Sequence, residues 1–313
     1  MNGDGGPGDR LAASIDIDQL STREVVRLIQ AEDARVPTAT AAVAVALAEA
    51  VDAVVERLRG GGRLFYVGAG TSARIAALDA AELPPTYGTQ PELVQVIVAG
   101  GQRALLRAVE GAEDDEEAGR CEVLECVRSG DCVVGIAASG TTPFTVAALG
   151  EARDLGALTI AITSRAGSPL AAAAEHALVA ATGPEVVMGS TRMKAGTAQK
   201  LLLNALSTAV MIRLGRVHSN LMIEMPATNA KLRRRAAQMV ELVAGVDAAA
   251  AEAALAAAQG NVKVAVVVAA RGIDVAAAQR RLESAGGDLR AALAEPAGEP
   301  HDGAPAGRGA AGR

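Results

Sequence analysis

From Arg63 onward, short apolar runs alternate with longer stretches of helical composition: LFYV and a helix, LVQVIVA and a helix from about Arg103, DCVVGIAA and a helix from about Pro143, then ALTIAITS and HALVAAT. Short apolar runs bounded by turn residues read as buried strands. Strands separated by helical segments predict a parallel sheet covered on both faces. Ahead of them, STREVVRLIQAEDARV and TATAAVAVALAEAVDAVVERLRGGG read as two helices. Ser21 with Glu24 three residues later opens the first, and the glycines from Gly60 to Gly62 end the second. After Pro184 a long helix, STRMKAGTAQKLLLNALSTAVMIRL, stops at Gly215. Lys231 to Leu293 reads as wholly helical, in short pieces broken near Gly245, Gly260 and Gly272. The expected organisation is α/β: residues 15–235 form a domain around a five-stranded parallel sheet flanked by helices, and 236–294 a small helical domain. Residues 1–14 and 295–313, rich in Gly, Pro and Ala, are expected to be disordered tails.

Composition narrows the function classes. Half of the 313 residues are apolar, yet there is no Trp, two Tyr and two Phe, so Ala, Val and Leu must fill the core. The net charge of −6 leaves no electrostatic footprint for nucleic acid, and the aromatic platforms that stack bases are missing. No apolar span is long enough for a membrane, and MNGDGGPGDR lacks the basic and apolar regions of a signal peptide, so a cytoplasmic location is expected. Cys121, Cys126 and Cys132 show no C-x-x-C spacing and read as reduced thiols. His176, His218 and His301 are scattered without metal-ligand spacing, and no metal or cofactor is expected.

Three loops carry hydroxyls where a strand gives way to a helix. In RLFYVGAGTSARIAALDAAELPPTYGT, glycines permit a tight turn and Thr71 and Ser72 open a helix whose free N–H groups suit a phosphate. Gly68, Gly70 and Ala73 also satisfy a dinucleotide spacing, but the next strand ends without the acid that would hold a ribose. The loop ASGTTPF supplies Ser139, Thr141 and Thr142 before Pro143 starts a helix. Two such loops without a Walker-type G-K-[ST] point to a phosphorylated metabolite, with simple helix capping as the alternative. Ser190 and Thr191 repeat the pattern beside Arg192 and Lys194, two cations that oppose the helix dipole unless an anion compensates them. Glu82 stands before Leu83-Pro84-Pro85, which is expected to stop its helix. Glu110 and Glu113 share one helical face if a helix runs through Gly111, and the residues alone do not choose between them.

These segments together resemble the N-acetylmuramic acid 6-phosphate etherases, a family of the sugar isomerase (SIS) fold. The resemblance runs from about Ile15 to Leu293 and is strongest in GRLFYVGAGTSARIAALDAAELPPTYG, VEGAEDDEEAG, ASGTTPF and GSTRMKAGTAQKLLLNALSTAVMIRLGRVHSNLMIEMPATNAKLRRRA. It implies an αβα sandwich and a lyase of amino sugar catabolism and peptidoglycan recycling. Such an enzyme cleaves the D-lactyl ether of its substrate by elimination then hydration, without a cofactor. By the same resemblance Glu82 and Glu113 are the catalytic acids, and Thr71, Ser72, Ser139, Thr141 and Thr142 hold the phosphate. A homodimer, with sites that borrow residues across its interface, is also implied. Ala73 stands where the family motif reads T-S-G-R, and Leu83 replaces a frequent Cys. The alternatives are a regulatory protein of the same fold that binds a sugar phosphate without catalysis and an aldose-ketose isomerase on that fold.

Overall fold

The computed structural model describes residues 6–227 and 229–294, so the tail assignments for residues 1–5 and 295–313 lie outside the described residues. Residues 6–14, by contrast, have local structure: the Gly6 N–H donates to the Asp9 carboxylate at 2.6 Å, Pro7 is buried, and Ala12–Ser14 forms a 3-10 turn. Contacts divide the chain into two compact units, meeting between Pro226 and Ala227.

The first unit begins with α1 (Thr22–Asp33), α2 (Val36–Ala41) and α3 (Ala44–Arg59). Ser21 and Glu24 form the anticipated capping box. The single second helix read from the sequence is two, because Thr40 Oγ1 donates back to the carbonyls of Val36 and Pro37, at 3.2 and 3.0 Å, a bond that bends helices. Then follow β1 (Leu64–Gly68), α4 (Gly70–Tyr87), β2 (Val94–Val98), α5 (Glu116–Cys126), β3 (Cys132–Ile136), α6 (Pro143–Asp154), β4 (Leu158–Thr163), α7 (Pro169–Ala173), β5 (His176–Val179) and α8 (Lys194–Arg213). All five strands are parallel, in the order β2-β1-β3-β4-β5. The winding reverses between β1 and β3, which opens a crevice at their carboxyl ends, the place where such sheets bind ligands.

Both faces of the sheet are buried, as the near-continuous apolar runs require. Leu64 and Tyr66 of β1 point into a core with Val54, Leu202 and Leu206 of α3 and α8, while Phe65 and Val67 point into the opposite core with Phe144 and Leu149 of α6. Leu83 belongs to the first core, so the thiol usual at that position is replaced by a packing group. Ala73 lies inside α4, fully buried against Val98 and Ala104; it has no positive φ and lines neither of the cavities described below.

Two local expectations fail for identifiable reasons. Pro84 and Pro85 do not stop α4, which runs to Tyr87 and ends at Gly88 in a left-handed conformation, its N–H donating to the Pro84 carbonyl at 3.0 Å. Prolines so near a helix end remove only the hydrogen bonds to Ala80 and Ala81. After β2 the helix expected from Arg103 is replaced by 3-10 turns, Gln102–Leu105 and Ala112–Asp114, and α5 starts only where the Asp115 carboxylate caps the Ala118 N–H at 2.9 Å.

The second unit holds α9 (Ala230–Ala244), α10 (Ala248–Ala257), α11 (Val262–Arg271), α12 (Val275–Ser284) and α13 (Leu289–Leu293), one piece more than the expected breaks alone would give. Helix α9 passes unbroken through residue 235, where the sequence reading ended the α/β domain. The unit repeats itself at a constant offset: Gly245, Asp247, Leu255, Gly260 and Val262 recur as Gly272, Asp274, Leu282, Gly287 and Leu289. Each Asp caps a helix, and each Leu or Val of the set is buried. Among the described residues no single helix is long and apolar enough to cross a membrane.

Candidate active site

The crevice holds a cavity of about 460 Å³ lined by Thr71, Ser72, Ser139, Thr141, Thr142 and Thr191, together with Glu113 and Asp114. Six of the hydroxyl residues singled out from three separate loops therefore converge. Ser190 is half-buried but lines no part of it; its carbonyl instead accepts the Met193 N–H at 3.2 Å.

The loop after β1 brings the α4 start to the cavity. Ala69 is the N-cap of α4 and supplies no side-chain oxygen, so the first N–H groups of the helix have no side-chain cap. Ser72 is nearly buried, and its hydroxyl donates to Gln199 Oε1 of α8 at 3.0 Å. The loop after β3 is shaped by Gly140, whose φ of +66° is left-handed and whose position would drive a Cβ to 2.2 Å from Ser168 Oγ. It presents Ser139, whose Oγ accepts from the Thr141 N–H and hydroxyl at 3.2 and 3.0 Å. Helix α6 likewise starts without a side-chain cap, at Thr142.

The α8 start is different. The buried Glu185 carboxylate accepts the Lys194 and Ala195 N–H groups at 3.1 and 2.9 Å, so an anion of the protein itself occupies the helix terminus. Lys194 is not a solvated cation: it is buried and its Nζ pairs with Glu32 of α1. Burial pushes the Glu32 carboxyl up, but Lys194 and then Arg35, at 3.3 Å, outweigh it and hold the group below its ordinary value. Sequence reasoning missed Glu32, which is remote in the chain, and Glu185, which lies nine residues before Lys194, beyond the reach of a local capping pattern.

The acids separate clearly. Gly111 has φ of +74° and breaks any helix through it, so Glu110 and Glu113 do not share a helical face. Glu113 is exposed at the large cavity and also lines a second, smaller one of about 240 Å³, whereas Glu110 lines only the smaller. Arg74, which the sequence reading gave no role, is in that second lining. Glu82 lines neither cavity. It is exposed near the far end of α4, about 18 Å along the axis from Gly70 at ~1.5 Å per residue. Leu78, one turn back on the same face, is 48% exposed.

One turn from Glu82, on the buried side of α4, Asp79 accepts from the Tyr66 hydroxyl at 3.0 Å and the Ser207 hydroxyl at 3.1 Å. Burial pushes its carboxyl up against those two hydrogen bonds. Burial also pushes the Cys132 thiol up to about 12, which removes it as a nucleophile. Among the described residues no group of His, Cys, Asp and Glu is arranged to hold a metal ion.

Known proteins resemble this chain in sequence and in fold. Residues 46–153 match the profile of the glucokinase regulatory protein N-terminal SIS domain, and residues 109–209 match the SIS domain. An N-acetylmuramic acid 6-phosphate etherase of Symbiobacterium thermophilum is 58% identical over 258 residues, 82% of this chain and 86% of that protein. A protein of the same name from Rubrobacter xylanophilus is 50% identical over 255 residues, 81% of this chain and 85% of that one. Among solved structures, a phosphoheptose isomerase from Francisella tularensis aligns with a TM-score of 0.51 at 22% identity, covering 62% of this chain and 100% of that one, a likeness of fold.

Proposed function

Because the chain belongs to the N-acetylmuramic acid 6-phosphate etherase family, we propose that it cleaves the D-lactyl ether of that sugar phosphate, with Glu113 and Glu82 as its catalytic acids. Glu113 at the edge of the hydroxyl-lined cavity is the observation that carries this reading. The phosphate is held by Thr71, Ser72, Ser139, Thr141, Thr142 and Thr191 and by the uncapped starts of α4 and α6, with Ser190 supporting the third loop.

Opening the sugar ring frees the C1 aldehyde, which acidifies the proton on C2. Glu113 removes that proton as a general base, and its bonding electrons form the C2–C3 double bond as the C3–O bond breaks. The departing oxygen takes a proton from Glu82 and leaves as D-lactate. Water then adds to C3 of the unsaturated aldehyde and a proton returns to C2, giving N-acetylglucosamine 6-phosphate.

Glu82 is too far from its own chain's cavity for this role, so a second copy supplies it in a cytoplasmic homodimer. The exposed Leu78 on the face of α4 that carries Glu82 suits such an interface. The match to the regulatory protein domain spans only residues 46–153, whereas the etherase relatives span 82% and 81% of the chain, which favours catalysis over a sensor.

The purified protein is expected to release D-lactate from N-acetylmuramic acid 6-phosphate at catalytic turnover. Binding without release would establish the sensor instead. Glu82→Gln and Glu113→Gln should each lower kcat by about 10²- to 10⁴-fold. Unfolded and refolded together, the two inactive variants should recover about a quarter of native activity, since half the dimers are mixed and each has one intact site. No recovery, with mixed dimers present, would place both acids on one chain.

A further inference from the structure

Beyond Thr71, the smaller cavity is lined by side chains unlike those of the phosphate loops. Ala99, Ala104, Ala108, Val109 and Ala112 contribute methyl groups to a lining that also carries Thr71, Glu110 and Glu113, and Arg74 is its cation. The guanidinium is fixed by the backbone: Nε donates to the Leu105 carbonyl at 3.0 Å and Nη2 to the Ala104 carbonyl at 2.9 Å. Nη1 has no hydrogen-bond partner among the described residues, and no carboxylate among them lies within ion-pair distance of Arg74. A held guanidinium with a free donor, beside several methyl groups, is complementary to a small carboxylate that itself carries a methyl.

The two cavities share Ala69, Gly70, Thr71 and Glu113. A ligand with its phosphate in the larger cavity must therefore pass Glu113 to reach the smaller. We infer that the smaller cavity is the subsite for the lactyl substituent, with Arg74 binding its carboxylate and the alanines receiving its methyl; this rests on the reading of the site given above. The arrangement sets C2 and C3 of the sugar at the boundary, beside Glu113. Glu110, on the same lining, repels any anion that Arg74 does not compensate, so the subsite depends on the guanidinium.

The test compares a ligand that has the lactyl group with one that lacks it. For Arg74→Met and Ala108→Leu, kcat/KM is measured for N-acetylmuramic acid 6-phosphate, and Ki for N-acetylglucosamine 6-phosphate as a competitive inhibitor. Arg74→Met should lower kcat/KM roughly tenfold to a hundredfold, the range for a hydrogen bond to a charged group, and leave the product Ki nearly unchanged. Ala108→Leu, which fills the cavity without touching the cation, should discriminate in the same sense. If either folded variant weakens both ligands equally or leaves kcat/KM untouched, the inference is overturned. Ser72→Ala is the reference: it should weaken both ligands alike, and if it weakens neither, the phosphate assignment fails separately.

Discussion

The helices of the second unit and those that meet the large cavity begin in opposite ways. Asn229, Asp247, Asn261, Asp274 and Asp288 each accept an N–H of the helix that they open, so every helix start in that unit is satisfied from within its own turn. Helices α4 and α6 start at Ala69 and Thr142 with no side-chain cap, and α8 is capped by Glu185, nine residues before Lys194. In the second unit the chain supplies its own acceptor at each described helix start. At α4 and α6, beside the cavity, those N–H groups have no side-chain acceptor, which suits the phosphate proposed above, since a carboxylate cap there would repel it.

The sharpest way to break this comparison is through α8, whose start depends on tertiary partners. Glu32→Gln leaves Lys194 buried without its carboxylate and should destabilise the first unit by about 3–5 kcal/mol, read by denaturant unfolding. The sign with pH follows from the lowered Glu32 carboxyl. Its contribution is present above the ordinary value of 4.5 and is lost as pH falls through the lower folded-state value, so the variant should show a flatter acid limb than the native protein.

A second variant exchanges one kind of start for the other. Ala69 has the extended conformation of an N-cap, φ −122° and ψ 154°, and Ala69→Asp should cap α4. The variant is expected to melt no lower than the native protein while KM rises by at least about a hundredfold, since the new carboxylate both fills and repels at the phosphate position. A lower melting point with unchanged KM would remove the open helix start from the site. The smallest effect is expected in the second unit: Asp247→Ala should cost about 1 kcal/mol of that unit's stability with kcat and KM unaltered.

Elements written in nearest-neighbour chemistry were legible. The Ser21 capping box and the five apolar runs lie where the pattern puts them, and both Asp247 and Asp274 could have been read as caps once the glycine spacing of the repeat is seen. The helix expected from Arg103 was not legible in the same way: glycines at 100, 101 and 111 take positive φ, and a composition window averages over them. The hydroxyl loops were readable because each carries its own turn signal. Arg74 was not, since only its hydrogen bonds to Ala104 and Leu105, thirty residues on, fix its guanidinium in the second cavity.

By itself, then, the sequence determined the parallel sheet, its two buried faces, and the loops that hold hydroxyls and acids, because these depend on periodicity and turn chemistry within a few residues. The tertiary structure alone decided that Glu113 rather than Glu110 borders both cavities, that Lys194 is buried against Glu32, and that Glu82 lines neither cavity. Those outcomes are set by strand order and helix packing, which bring together groups far apart in the chain and place others a helix length from where local order would suggest.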